Sequence, residues 1–92
     1  NGIANGLQRL AEDADTQARL RAEPGLLPRF VEEILRIDSP VQGLFRYVTE
    51  DTELGGVRIP KGATLMIRYA AGNRDEAKFE RAEEFDLERR NN

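Results

Sequence analysis

The 92-residue chain carries 14 Lys+Arg against 17 Asp+Glu, a formal net charge of -3, and has neither histidine nor cysteine. That composition excludes disulfides, thiolate metal sites and imidazole ligands or bases, so a metal would need all-oxygen ligation. Charge of mixed sign, without aromatics interleaved among Lys and Arg, argues against a nucleic-acid face, and no apolar run reaches the ~18 residues of a membrane span. In chain order, Ile3, Leu7, Leu10, Ala11 and Ala14 recur near helical spacing and predict a first helix. Asp15 is the expected N-cap of a second, short helix carrying Ala18 and Leu20, stopped by Pro24-Gly25. Pro28 predicts the first turn of a third helix through Phe30, Val31, Ile34 and Leu35, and Asp38-Ser39-Pro40 ends it.

From Val41 the period changes. Phe45 to Thr49 is a candidate strand, Glu53 to Ile59 reads as a hairpin turning at Gly55-Gly56, and Pro60-Lys61-Gly62 makes a further turn. Ala63, Leu65, Ile67 and Tyr69 alternate with Thr64, Met66 and Arg68, as a half-buried strand would. Ala70 to Asn73 reads as a short helical turn, and Arg74 to Asn92 as a charged, irregular tail anchored by Phe79 and Phe85. The expected class is α+β: helices over 1–37, strands and hairpins of a small antiparallel sheet over 41–69, and a tail over 70–92, all in one domain. A domain this small buries only roughly 60–65% of its unfolded surface, and a piece cut from a larger one would expose apolar side chains. The start at Asn1, without a charged-then-apolar leader, reads as a processed or excised chain.

Glu33 and Arg36 lie three apart on one helix face. On a solvated face such a pair contributes only ~0.2–0.5 kcal/mol. Phe30, Val31, Ile34 and Leu35 leave little of this helix unburied, and a buried pair needs further hydrogen bonds, which Arg89 could supply if the fold returns it. Arg46, in a strand-like run, is either solvent-facing or suited to bidentate pairing with a carboxylate. Val41, Gln42, Gly43 and Leu44 form a loop whose Val41 and Leu44 could plug a local core. Adjacent Glu32 and Glu33 diverge by about 100° on a helix and do not make a hydrolytic carboxylate pair. Gly55-Gly56 is a turn rather than a phosphate cradle, since no Lys-Ser/Thr follows. The acidic tract Glu80, Glu83, Glu84, Asp86 and Glu88, interrupted by Arg81, reads as a solvated surface.

Phe30 to Arg36 with its Glu-x-x-Arg pair, the turn-rich Glu53 to Gly62, Ala70-Ala71-Gly72-Asn73-Arg74-Asp75 and Phe85-Asp86-Leu87-Glu88-Arg89 together resemble, in order, the helix-K-to-meander region of bacterial cytochromes P450. The resemblance covers the whole chain, with Asn1 to Leu10 matching the end of the long central helix. It implies a structural triad of Glu33, Arg36 and Arg89, an Arg46 that pairs with a haem propionate, and a substrate-pocket wall at Val41, Gln42, Gly43 and Leu44. It implies a soluble, cytoplasmic parent monooxygenase that uses haem, a ferredoxin or flavoprotein electron donor and a small organic substrate. The family's acid–alcohol pair would fall before Asn1 and its cysteine loop beyond Asn92. The chain alone is therefore expected to bind no haem, hold no metal and be inactive. The alternative is a non-catalytic module derived from that family, which binds a partner or self-associates, as a homodimer exchanging its N-terminal helix.

Overall fold

A computed structural model describes all 92 residues, Asn1–Asn92. Asn1 caps the first helix, its side-chain oxygen accepting the Ala4 N–H at 2.8 Å, and α1 runs Gly2–Glu12. Asp13 ends α1 and caps α2 (Ala14–Ala22), accepting the Thr16 N–H at 3.1 Å and the Thr16 hydroxyl at 2.7 Å. These bonds hold the Asp13 carboxyl below its ordinary range. The cap therefore sits two residues before the expected Asp15, which lies in the first turn, where a carboxylate suits the helix dipole. A 3-10 turn, Pro24–Leu26, feeds α3 (Leu27–Ile37) with Pro28 in its first turn.

The core is small. Leu20, Phe30, Ile34 and Leu87 form it, with Leu10, Leu26 and Phe85 packed against them. Phe30 meets Phe85 edge-on at 5.9 Å, so the tail closes over the helices. Val31 and Leu35, expected inside, are half exposed. They line an open groove with Gly6, Leu7 and Leu10 of α1.

The antiparallel part is two ribbons. β1 (Leu44–Tyr47) pairs with β4 (Thr64–Ile67), Arg46 opposite Leu65 and Leu44 opposite Ile67. β2 (Thr52–Leu54) and β3 (Val57–Ile59) flank Gly55 and Gly56, whose φ of 56° and 81° give the two-residue turn that suits strand twist. The stretch expected to be half-buried at 63–69 is mostly exposed, because no layer covers either face of the β1–β4 ribbon; Phe45 is 69% exposed. A Cβ on Gly43 would come within 2.8 Å of the Ile67 carbonyl. Gly43→Ala is therefore expected to destabilise by about 1–3 kcal/mol, read as a lowered denaturant midpoint, and an unchanged midpoint would contradict the close approach.

After α4 (Tyr69–Gly72) the tail runs irregularly to Asn92, turning at Arg81, which takes a left-handed φ of 51°. The radius of gyration is 17.1 Å, against about 12 Å for a compact globule of this length, and 12 of the 92 residues are buried. The helices and tail close around a core while the ribbons project with both faces open. No helix is long and apolar enough to cross a membrane.

Candidate functional site

The deepest polar group is the Glu33 carboxylate, on a residue 0% exposed. Its position on the core face of α3 follows from helical spacing, one turn from Phe30 and Ile37. Oε1 accepts from Arg36 Nη2 at 2.7 Å, the Asp86 backbone N–H at 2.9 Å and Arg89 Nε at 3.1 Å. Oε2 accepts from Arg36 Nε at 2.9 Å and Asn92 Nδ2 at 3.1 Å. The fold thus brings Glu33, Arg36 and Arg89 together, although Arg89 lies 56 residues along the chain from Glu33.

The two guanidiniums are satisfied mainly by backbone. Arg36 Nη1 donates to the Asn73 and Ala82 carbonyls at 2.9 and 2.6 Å, and Nη2 also reaches the Glu84 carbonyl at 2.9 Å. All five Arg36 N–H groups are then engaged, and the guanidinium carbon lies over the Phe79 ring, 5.4 Å from its centroid. Arg89 donates to the carbonyls of Glu80 at 2.6 Å, Arg81 at 3.0 Å and Glu84 at 3.3 Å. Sequence reasoning found the three charged members and missed these acceptors, because a carbonyl carries no residue-type signal. Asn92 was also missed. The acidic side chains of the tail do point outward, apart from the partly covered Asp86, while its backbone faces in.

Burial is the largest single influence on Glu33 and pushes its pKa up, but the hydrogen bonds from Arg36, Asp86, Asn92 and Arg89 outweigh it and hold the group at about 2, against an ordinary 4.5. Arg36 is raised above its ordinary value, chiefly by the hydrogen bond to Glu33. A carboxylate depressed on folding stabilises the fold above its unfolded pKa and loses that contribution as pH falls through the folded value. Glu33 then contributes about 3 kcal/mol at neutral pH, of which about 2 kcal/mol is gone by pH 3. Urea unfolding at pH 7 and pH 3 measures this, and equal midpoints would count against it.

Beside this knot, the end of α3 meets α1 and the start of the tail. Asp38 accepts from Arg9 at 3.0 Å and pairs with Arg74 at 3.6 Å, while Arg74 Nε donates to the Ile37 carbonyl at 2.9 Å. Arg9 also lies 4.9 Å from the Phe85 ring. These contacts lock α1 and the end of α3 to the tail.

The other predicted residues lie apart from the knot. Arg46 is exposed and makes no side-chain hydrogen bond or ion pair. By strand alternation it shares one ribbon face with Leu44, Leu65 and Ile67, a flat apolar surface bearing one free guanidinium. Val41 and Leu44 are half exposed and plug no local core, because the ribbon diverges from the helices at Gly43. Gln42 is exposed, and its carbonyl accepts the Ala70 N–H at 3.2 Å.

The cytochrome P450 family model matches residues 3–92. The chain belongs to the cytochrome P450 family. It is 44% identical over 89 residues to cytochrome P450 109 of Bacillus spizizenii, an alignment covering 97% of this chain and 22% of that protein. Its backbone superposes with a TM-score of 0.91 on CYP109E1 from Bacillus megaterium, solved in complex with testosterone, at 39% identity over 97% of this chain and 25% of that one. A TM-score of 0.91 is also found with P450BioI, solved in complex with acyl carrier protein ligated to hexadec-9Z-enoic acid, at 35% identity over 97% of this chain and 23% of that one. The chain spans about a fifth of the length of the curated relatives it matches. The knot and the projecting ribbons are thus features of a P450 segment with the backbone of its solved relatives.

Proposed function

We propose that this chain is an internal part of a bacterial haem-thiolate monooxygenase, in which it supplies scaffold and pocket wall rather than the iron ligand. The observation that carries the reading is the β1–β4 face: Leu44, Leu65 and Ile67 around an unpaired Arg46 offer an apolar plane and one bidentate carboxylate partner. Haem fits that face in part, since its ring is apolar and its propionates are carboxylates. The axial ligand must come from elsewhere, because the chain has no cysteine and no histidine.

When bound, haem supplies the iron at which dioxygen is reduced with electrons from a ferredoxin or flavoprotein, one oxygen atom passing to an organic substrate. Arg46 would hold a propionate carboxylate of the bound haem. Val41, Gln42, Gly43 and Leu44 line the substrate side. Glu33, Arg36 and Arg89 take no part in proton movement; they fasten the tail to α3. The open apolar groove on α1 and α3 and both ribbon faces fit a segment that packs against the remainder of a larger domain.

The test is to express the reading frame that contains this segment and, separately, residues 1–92. The long product is expected to give the carbon monoxide difference band of a thiolate-ligated haem, and residues 1–92 only the spectrum of free haem after haem addition, with no thiolate-type band. A thiolate-type band from residues 1–92 alone, or none from the long product, would overturn the reading. The second reading, a self-associating module without catalysis, draws on the exposed Ile3 and Leu7 of α1. Size-exclusion chromatography with light scattering decides it: a dimer supports it and a monomer rejects it.

A further inference from the structure

Beyond the Glu33 knot, the C-terminal end of α3 carries a second buried polar centre. The Ser39 hydroxyl shares its one proton between the Leu35 and Arg36 carbonyls, at 2.9 and 3.1 Å, and accepts from Asn73 Nδ2 at 2.9 Å. Ser39 is buried, and Asn73 is itself fixed, its carbonyl taken by Arg36 Nη1 at 2.9 Å. The chain then leaves as Pro40-Val41-Gln42-Gly43, a stretch with no side-chain hydrogen bond of its own. It is held at its far end by the Ala70 N–H on the Gln42 carbonyl and by the tight seat of Gly43 against the Ile67 carbonyl. Both anchors therefore come from the chain between Ile67 and Asn73.

We propose that Asn73, acting through Ser39, is a positioning residue that sets where the Val41–Leu44 wall stands, and so the size of ligand the pocket admits. This rests on the reading that the wall faces the substrate. Asn73 touches neither substrate nor haem in this scheme. Its amide holds the Ser39 oxygen, Ser39 holds the last turn of α3, and the wall departs from that turn by a single residue, Pro40. Losing the Asn73 amide leaves the Ser39 bonds to α3 in place but cuts the tie between that turn and the tail, so the wall gains freedom at one end only.

The test uses the full-length holoenzyme and two iron-binding probes, imidazole and the bulkier 4-phenylimidazole, each titrated by its Soret shift. Asn73→Ala and Ser39→Ala are each expected to weaken 4-phenylimidazole about tenfold, while imidazole stays within about twofold. The double variant is expected to be no weaker than either single, since both remove the same link. Parallel loss for the two probes, which a merely structural role would produce, or an unchanged ratio, would overturn the proposal. If Asn73→Ala fails to take up haem, Ser39→Ala carries the same test with only a hydroxyl removed. Absence of a thiolate band in the unsubstituted enzyme would instead defeat the proposed function, and this inference with it.

Discussion

Glu33→Gln is expected to destabilise the folded domain by about 3–5 kcal/mol, although the side chain keeps its shape. The carboxylate accepts five hydrogen bonds and donates none. A glutamine turns one oxygen into an NH₂ that faces donors. With Nε2 in place of Oε2 it meets Arg36 Nε and Asn92 Nδ2; with Nε2 in place of Oε1 it meets the Asp86 N–H and Arg89 Nε. Either way the Arg36 and Arg89 cations are left buried without their counter-charge. Denaturant unfolding of the full-length protein measures the loss, with haem retention as a second readout. A change below about 1 kcal/mol would mean that the knot is not closed in solution.

Arg36→Lys keeps the charge and is nevertheless expected to cost about 3–5 kcal/mol. The guanidinium spends five N–H groups on two carboxylate oxygens and three carbonyls that approach from different directions. An ammonium has three donors at a single point, so at least two buried acceptors are stranded, at about 1–3 kcal/mol each. The cation–π contact with Phe79 changes as well. Unfolding midpoints for Lys and Ala at this position should then lie close together. A lysine variant close to wild type would show that charge alone, and not the fork, holds the tail.

What was legible in the sequence follows the range of each interaction. Helices with a 3.6-residue apolar period, the Pro28 start and the Gly55-Gly56 turn are local, and each formed close to its expected place. The cap of α2 was misassigned because Asp13 and Asp15 are chemically equivalent N-caps, and only the Thr16 contacts choose between them. Burial was the least legible property. The alternation around Leu65 and the apolar stripe of Val31 and Leu35 mark faces meant for covering, but a sequence cannot say whether the cover is within the same 92 residues. Glu33, Arg36 and Arg89 were legible as charged residues in a spaced motif. Ser39, Asn73 and Arg74 were legible only as members of a helix stop and a loop motif, without their partners, and Asn92 not at all, because polar residues in loops have no periodicity to betray a long-range contact.

Arg36 and Arg89 recognise the tail through the carbonyls of Asn73, Glu80, Arg81, Ala82 and Glu84. A clasp of that kind is indifferent to the identity of the outward side chains, provided the path of the main chain is kept. The exterior from Glu80 to Glu84 is therefore open to sequence drift: its charge can be rewritten, even reversed in sign, while the anchorage beneath stays intact. Ala82, fully enclosed, has no such latitude, and the left-handed φ at position 81 disfavours β-branched residues there. A single scaffold can in this way carry surfaces of differing electrostatic character without renegotiating its interior.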